Sequence, residues 1–144
     1  MENAVAIYDD NEKMIAELNA ERNVQYCSFK PKNEDDEILL FNVMNNPKYR
    51  LKDFINKTIA VKDVFCEIVQ CVNKETGEVN SAPRIVLIDD KGDGYQCVSL
   101  GIFSAIKKIF NVKGEPSTWK APIHLEVKQI TKGVNSMLTL NMVK

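Results

Sequence analysis

The sequence predicts a mainly β protein, a five-stranded barrel in the order β-β-β-α-β-β with an N-terminal helical extension. Three observations carry this. Beyond Lys57 the chain falls into strand-like runs at 58–72, 84–88, 95–98 and 123–130, with a last one around Leu138, Leu140 and Met142. One stretch with helical apolar spacing (Leu100, Phe103, Ile106, Ile109, Phe110) separates the third run from the fourth. Turn-forming clusters at 73–78, 89–94 and 131–135 punctuate the rest. The expected division is an extension at 1–55 and a barrel domain at 56–144.

The extension begins with a weakly specified leader, residues 1–35. Within it, 11–22 has Met14, Ile15 and Leu18 on one side of a short helix, which is marginal in water without a surface to pack on. Glu34-Asp35-Asp36-Glu37 opens a second helix, 35–44, because acidic side chains favour the positive end of the helix dipole. Ile38, Leu39, Leu40, Phe41 and Val43 make it strongly apolar. Asn45-Asn46-Pro47 ends it, since proline disfavours helix at the residue before. Residues 49–54 form a linking turn or a further short helix.

In the barrel, the first run has two phases of alternation. Ile59 and Val61 share one face, and Val64, Cys66 and Ile68 share another, which requires a bulge near Lys62-Asp63. If Gln96 and Val98 take the inner phase of the third run, Tyr95 points outward. Ser99 is the expected N-cap of the helix. Its lysines, Lys107 and Lys108, lie opposite the apolar positions. The fourth run alternates Ile123, Leu125 and Val127 inward with His124, Glu126 and Lys128 outward.

The chain has 144 residues and is 44% hydrophobic and 27% charged, enough for one soluble core. No apolar run approaches the roughly 18 residues of a membrane span, and Met1-Glu2-Asn3 does not start a signal peptide. A cytoplasmic location follows, with Cys27, Cys66, Cys71 and Cys97 as reduced thiols. Their spacing matches no zinc pattern, and no metal or other cofactor is expected. The lone histidine, His124, has no nucleophile paired to it by a motif, and phosphate-loop and dinucleotide glycine patterns are missing. Catalysis is not expected.

The net charge of −1 hides an asymmetry. Residues 1–47 carry four basic and ten acidic side chains, whereas 48–144 carry fifteen basic and ten acidic. This pattern suggests a basic body with an acidic appendage. The predicted strand order is that of the OB barrel, whose ligands lie across strands two and three between the first and last hairpin loops. Single-strand binding needs cations along a groove and flat rings on which bases stack. The residues that alternation and charge nominate for this are Lys62, Phe65, Lys74, Arg84, Tyr95, Lys113, Trp119, Lys120, Lys128 and Lys132. Trp119 alternatively serves as a lid on the barrel end.

Residues 41–51 (FNVMNNPKYRL), 56–64 (NKTIAVKDV) and 99–119 (SLGIFSAIKKIFNVKGEPSTW) are similar to segments of single-stranded-DNA-binding proteins of tailed bacteriophages. The resemblance spans about 38–144. It implies an OB-fold protein that coats replication or recombination intermediates without sequence preference in the infected cell's cytoplasm. Single-stranded DNA is the implied partner. The acidic N-terminal segment is a candidate for recruiting replication or recombination proteins, and the oligomeric state stays open. Two alternatives stand beside this: a protein-binding OB module such as a phage inhibitor or adaptor of a host protein, and an RNA- or transcription-associated domain.

Overall fold

The computed structural model describes residues 13–14 and 25–144, so most of the expected 11–22 helix lies outside the described residues. Its strands are β1 (Gln25–Cys27), β2 (Tyr49–Arg50), β3 (Thr58–Val72), β4 (Val79–Asp89), β5 (Gly94–Val98), β6 (Ile123–Lys132) and β7 (Asn135–Val143). Its helices are α1 (Glu34–Asn45) and α2 (Leu100–Lys113), with single 3₁₀ turns at Leu51–Phe54 and Pro116–Thr118. The five expected strands and the intervening helix run in the expected order as β3 to β7 and α2. Two further short strands join them, making seven among the described residues.

The sheet order is β2-β5-β4-β3-β6-β7, curled into a half-barrel, with β1 paired to β3. This mainly β architecture is consistent with an OB-like fold. Curling is possible because β3 changes phase within itself. Its register slips between Val61 and Asp63, so Val61 and Val64 both reach the interior while Lys62 stays exposed. Thr58 to Val61 pair with β6, and Phe65 to Glu67 pair with β1 along the same edge. Ser28 pins the bend: its hydroxyl donates to Asp63 at 2.9 Å and accepts from the Val64 amide at 2.9 Å.

The concave face holds the core. Val61, Val64, Ile85, Leu87, Leu125 and Val127 are fully buried with Ile102 of α2. Clean alternation at the start of β6 explains why it folds as expected: Ile123, Leu125 and Val127 face this core and His124 faces out. Leu51, also fully buried, plugs one end where the 3₁₀ turn passes from β2 toward the Ile55–Val127 bridge. The Ser99 hydroxyl caps α2 by accepting from the Ile102 amide at 3.1 Å.

A second, smaller core lies on the convex face. There α1 covers Phe65, Val86 and Ile88 with Val43, Leu40 and Met44. The helix starts at Glu34, one residue before the expected 35, capped by the Asn33 side chain and opened by four acidic residues. Its close seat depends on Gly94, where a Cβ would stand 2.6 Å from Val43 and 3.0 Å from Val86. The other flank of α1 is exposed, including Ile38, Leu39 and Phe41. No described helix is long and apolar enough to cross a membrane.

Candidate nucleic-acid interface

The structure moves three of the nominated residues off the surface. Phe65 does alternate away from Val64 and Cys66, but α1 covers that face and leaves it 2% exposed. Tyr95 corrects the phase of β5: Tyr95 and Cys97 point inward, whereas Gln96 and Val98 do not. Its ring stacks on Tyr49 at 4.9 Å and meets Phe54 edge-on, and its hydroxyl donates to Asp89 at 2.9 Å. Burial, and then the Asp89 carboxylate, raise this phenol well above its ordinary range. Asp89 belongs to the fold too. Expected in a solvated turn, it is buried and accepts from the Lys91 and Asp93 amides at 2.9 Å each.

Arg84 is likewise committed. Its guanidinium donates to Glu67 at 3.1 Å, to Gln96 at 3.1 Å and to the Met44 carbonyl at the C-terminal end of α1 at 2.8 Å. These contacts tie α1 to the sheet and leave little of the fork for phosphate. The surface expected from Phe65, Arg84 and Tyr95 on the first three strands of the barrel is therefore occupied by protein.

Other nominated residues come together elsewhere. Lys113, Trp119 and Lys120 line one open cavity of about 560 Å³ between the end of α2, the start of β6 and the end of β7. His124 and Lys144 complete its polar wall, and no acidic side chain lines it. The cavity exists because Gly114, at φ 79°, turns the chain out of α2, and the Pro116–Thr118 turn brings it back. Trp119 is held there by its indole N–H, which donates to the Gly114 carbonyl at 2.9 Å, and by edge-on contact with Phe110 at 6.3 Å. It remains half-buried, so it both seals the barrel end and keeps part of its ring accessible.

Lys74 and Lys132 lie at or next to the turns of two projecting ribbons. Among the described residues, β3 beyond Glu67 pairs only with β4, and β6 beyond Val127 pairs only with β7. Both arms expose apolar side chains, among them Val72, Val79, Ile130 and Val134. The bases of the arms meet in a cleft of about 440 Å³ lined by Ala82, Val98 and Met137. Lys62 is exposed at the bulge, and Lys128 bonds Asn56 at 3.1 Å with Glu126 3.8 Å away.

Tyr49 and Phe54, neither of them nominated, form a ring cluster with Tyr95, with Lys48 over Tyr49 at 5.2 Å and Lys57 over Phe54 at 5.5 Å. Hydrogen bonding to Tyr49, then the Asp93 charge, raise the Lys48 ammonium above its usual range. The interleaving Lys48-Tyr49-Arg50 is visible in the sequence; its packing against β5 is not. His124 and Lys144 also join the cavity without a local signal.

Searches of curated proteins and of solved structures gave no match. The family model described as phage single-stranded DNA-binding protein matches residues 19–143, a span that takes in β1, α1, the whole curled sheet, both arms and all of the Trp119 cavity except Lys144. With that span covered, the chain belongs to the phage single-stranded-DNA-binding protein family.

Proposed function

We propose that this protein coats single-stranded DNA without sequence preference during phage DNA replication or recombination, and that it does so without catalysis. The observation that carries this function is the cavity joining Trp119 to Lys113, Lys120 and Lys144 with no acidic side chain in its wall. An accessible indole face offers stacking to any base, and the ammonium groups neutralise phosphates whatever the sequence. The lysine-bearing arms extend that surface, and Lys62 and Lys128 supply outlying positive charge. Phe65, Arg84 and Tyr95 are left out of the contact set, since each is engaged within the fold.

Residues 56–144 supply this surface, and the acidic residues of the extension at 1–55 serve to recruit replication or recombination proteins. The site of action is the cytoplasm of the infected host.

Titrating the full-length protein with oligothymidylate at two salt concentrations tests the function directly. Trp119 emission is expected to quench, and affinity to fall with salt by a slope of about 0.7 per phosphate neutralised. Trp119→Ala is expected to weaken binding by about tenfold, in line with roughly 1–3 kcal/mol for one stacked base. Full affinity in that variant would remove the stacking role. Failure to bind any single strand would instead favour the protein-binding alternative.

A further inference from the structure

We propose that the bound strand runs along a trough between α2 and the free edge of β7, from the cleft between the arms to the Trp119 cavity. This path rests on single-strand binding as proposed above and specifies where on the molecule it happens.

Much of the usual face of this kind of barrel is taken up here: α1 covers Val86 and Ile88 of the second strand, and Arg84 ties up Gln96 of the third. The sheet path ends at β7, whose second edge pairs with no strand among the described residues. α2 leans on that edge, with Gly101 so close to β7 that a Cβ would collide with the Leu138 carbonyl. Three depressions follow this seam and share walls. The cleft between the arms shares Leu100, Gly101 and Met137 with a central depression of about 500 Å³. The central depression in turn shares Met142 with the Trp119 cavity.

Charge identifies the occupant. Lys108 lies in the central stretch and Lys113, Lys120 and Lys144 at its end, and no acidic side chain lines any of the three depressions. By contrast, the depression beside α1, about 380 Å³, has Asp35 and Asp93 in its wall. The helix presents a stripe at intervals of four, Leu100, Ser104, Lys108 and Val112, to the trough. Leu100 is 72% and Val112 77% exposed, apolar surface beside ammonium groups. Bases covering the apolar stripe and phosphates meeting the lysines satisfy both. The length of α2, about 20 Å at the helical rise, is suited to a strand rather than to a single mononucleotide.

The test uses the full chain and fluorescein-labelled oligothymidylate followed by anisotropy at two salt concentrations. Lys108→Glu is expected to weaken binding by about tenfold or more and to flatten the salt dependence. Lys91→Glu, in the turn between β4 and β5, is expected to stay within about twofold of the parent. Lysine acetylation read by mass spectrometry should show Lys108, Lys113 and Lys120 protected by the oligonucleotide while Lys91 is not. Wild-type affinity in Lys108→Glu, equal losses in the two variants, or protection confined to other lysines would overturn the path while leaving single-strand binding standing. An unmodified protein that binds no oligothymidylate would end both.

Discussion

Tyr95 has the chemistry of a base-stacking residue and is used instead to hold a turn. Its hydroxyl closes a network in which both Asp89 carboxylate oxygens are occupied, one by backbone amides and the other by the phenol. Tyr95→Phe removes the donor and leaves a carboxylate oxygen buried without its partner. The expected loss of stability is about 1.5–3 kcal/mol, the range for hydrogen bonds to charged groups. Urea denaturation measures it, and oligothymidylate affinity of the folded variant should be unchanged. A variant as stable as the parent, or one that loses affinity while stable, would return Tyr95 to the surface. Arg84 has the same character. Its three partners fix the end of α1 over the sheet, so its contribution is to the fold.

At the scale of elements, the contact of α2 with β7 turns on Gly101. Alanine there would gain about 1 kcal/mol in helix propensity. It would also drive a methyl group into the Leu138 carbonyl and the Met137 side chain, and overpacking of this kind costs about 1–3 kcal/mol. Because the collision is with backbone, which cannot rotate away, the second effect should win. Gly101→Ala is expected to lower the melting temperature; a higher one would mean that α2 can slide along β7 at little cost.

Elements that bury one face were legible in the sequence. β6 and α2 each alternate against a single core, and the two phases of β3 announce its bulge. β5 was not legible, because GYQCV places one aromatic or thiol set and one polar or aliphatic set on opposite sides. A helix distant in sequence decides what covers the other face. The same long-range cover explains Phe65, whose alternation was right and whose exposure was not. In the candidate site, the Lys113-Trp119-Lys120 group could be read because it lies within one short stretch from the end of α2. The trough could not, since it is assembled from α2 and a strand more than twenty residues further along.

For the molecule as a whole, alkaline pH should be the direction of weakness. Burial pushes the Cys66 thiol from 9.0 up to about 11 and the Cys97 thiol up to about 12. Burial, followed by Glu115, pushes Tyr26 from 10.0 up to about 12. In the unfolded chain these groups release protons near their ordinary values, while the folded chain retains them. The unfolded state then binds fewer protons, and stability falls as pH rises. Urea midpoints should hold steady from neutral pH to about 9 and decline from there toward about 11. A midpoint that stays level to about pH 11 would show that the folded protein hydrates these groups.

The two arms stand apart from this cooperative core, since each is a two-stranded ribbon among the described residues and isolated two-stranded ribbons are marginal in water. Gripping a ligand with such parts spends ordering entropy at the moment of capture. The resulting hold is cumulative, yet each arm can let go separately while the barrel stays intact. A covering layer built from these units would peel progressively from an advancing end, with no need for the protein to unfold.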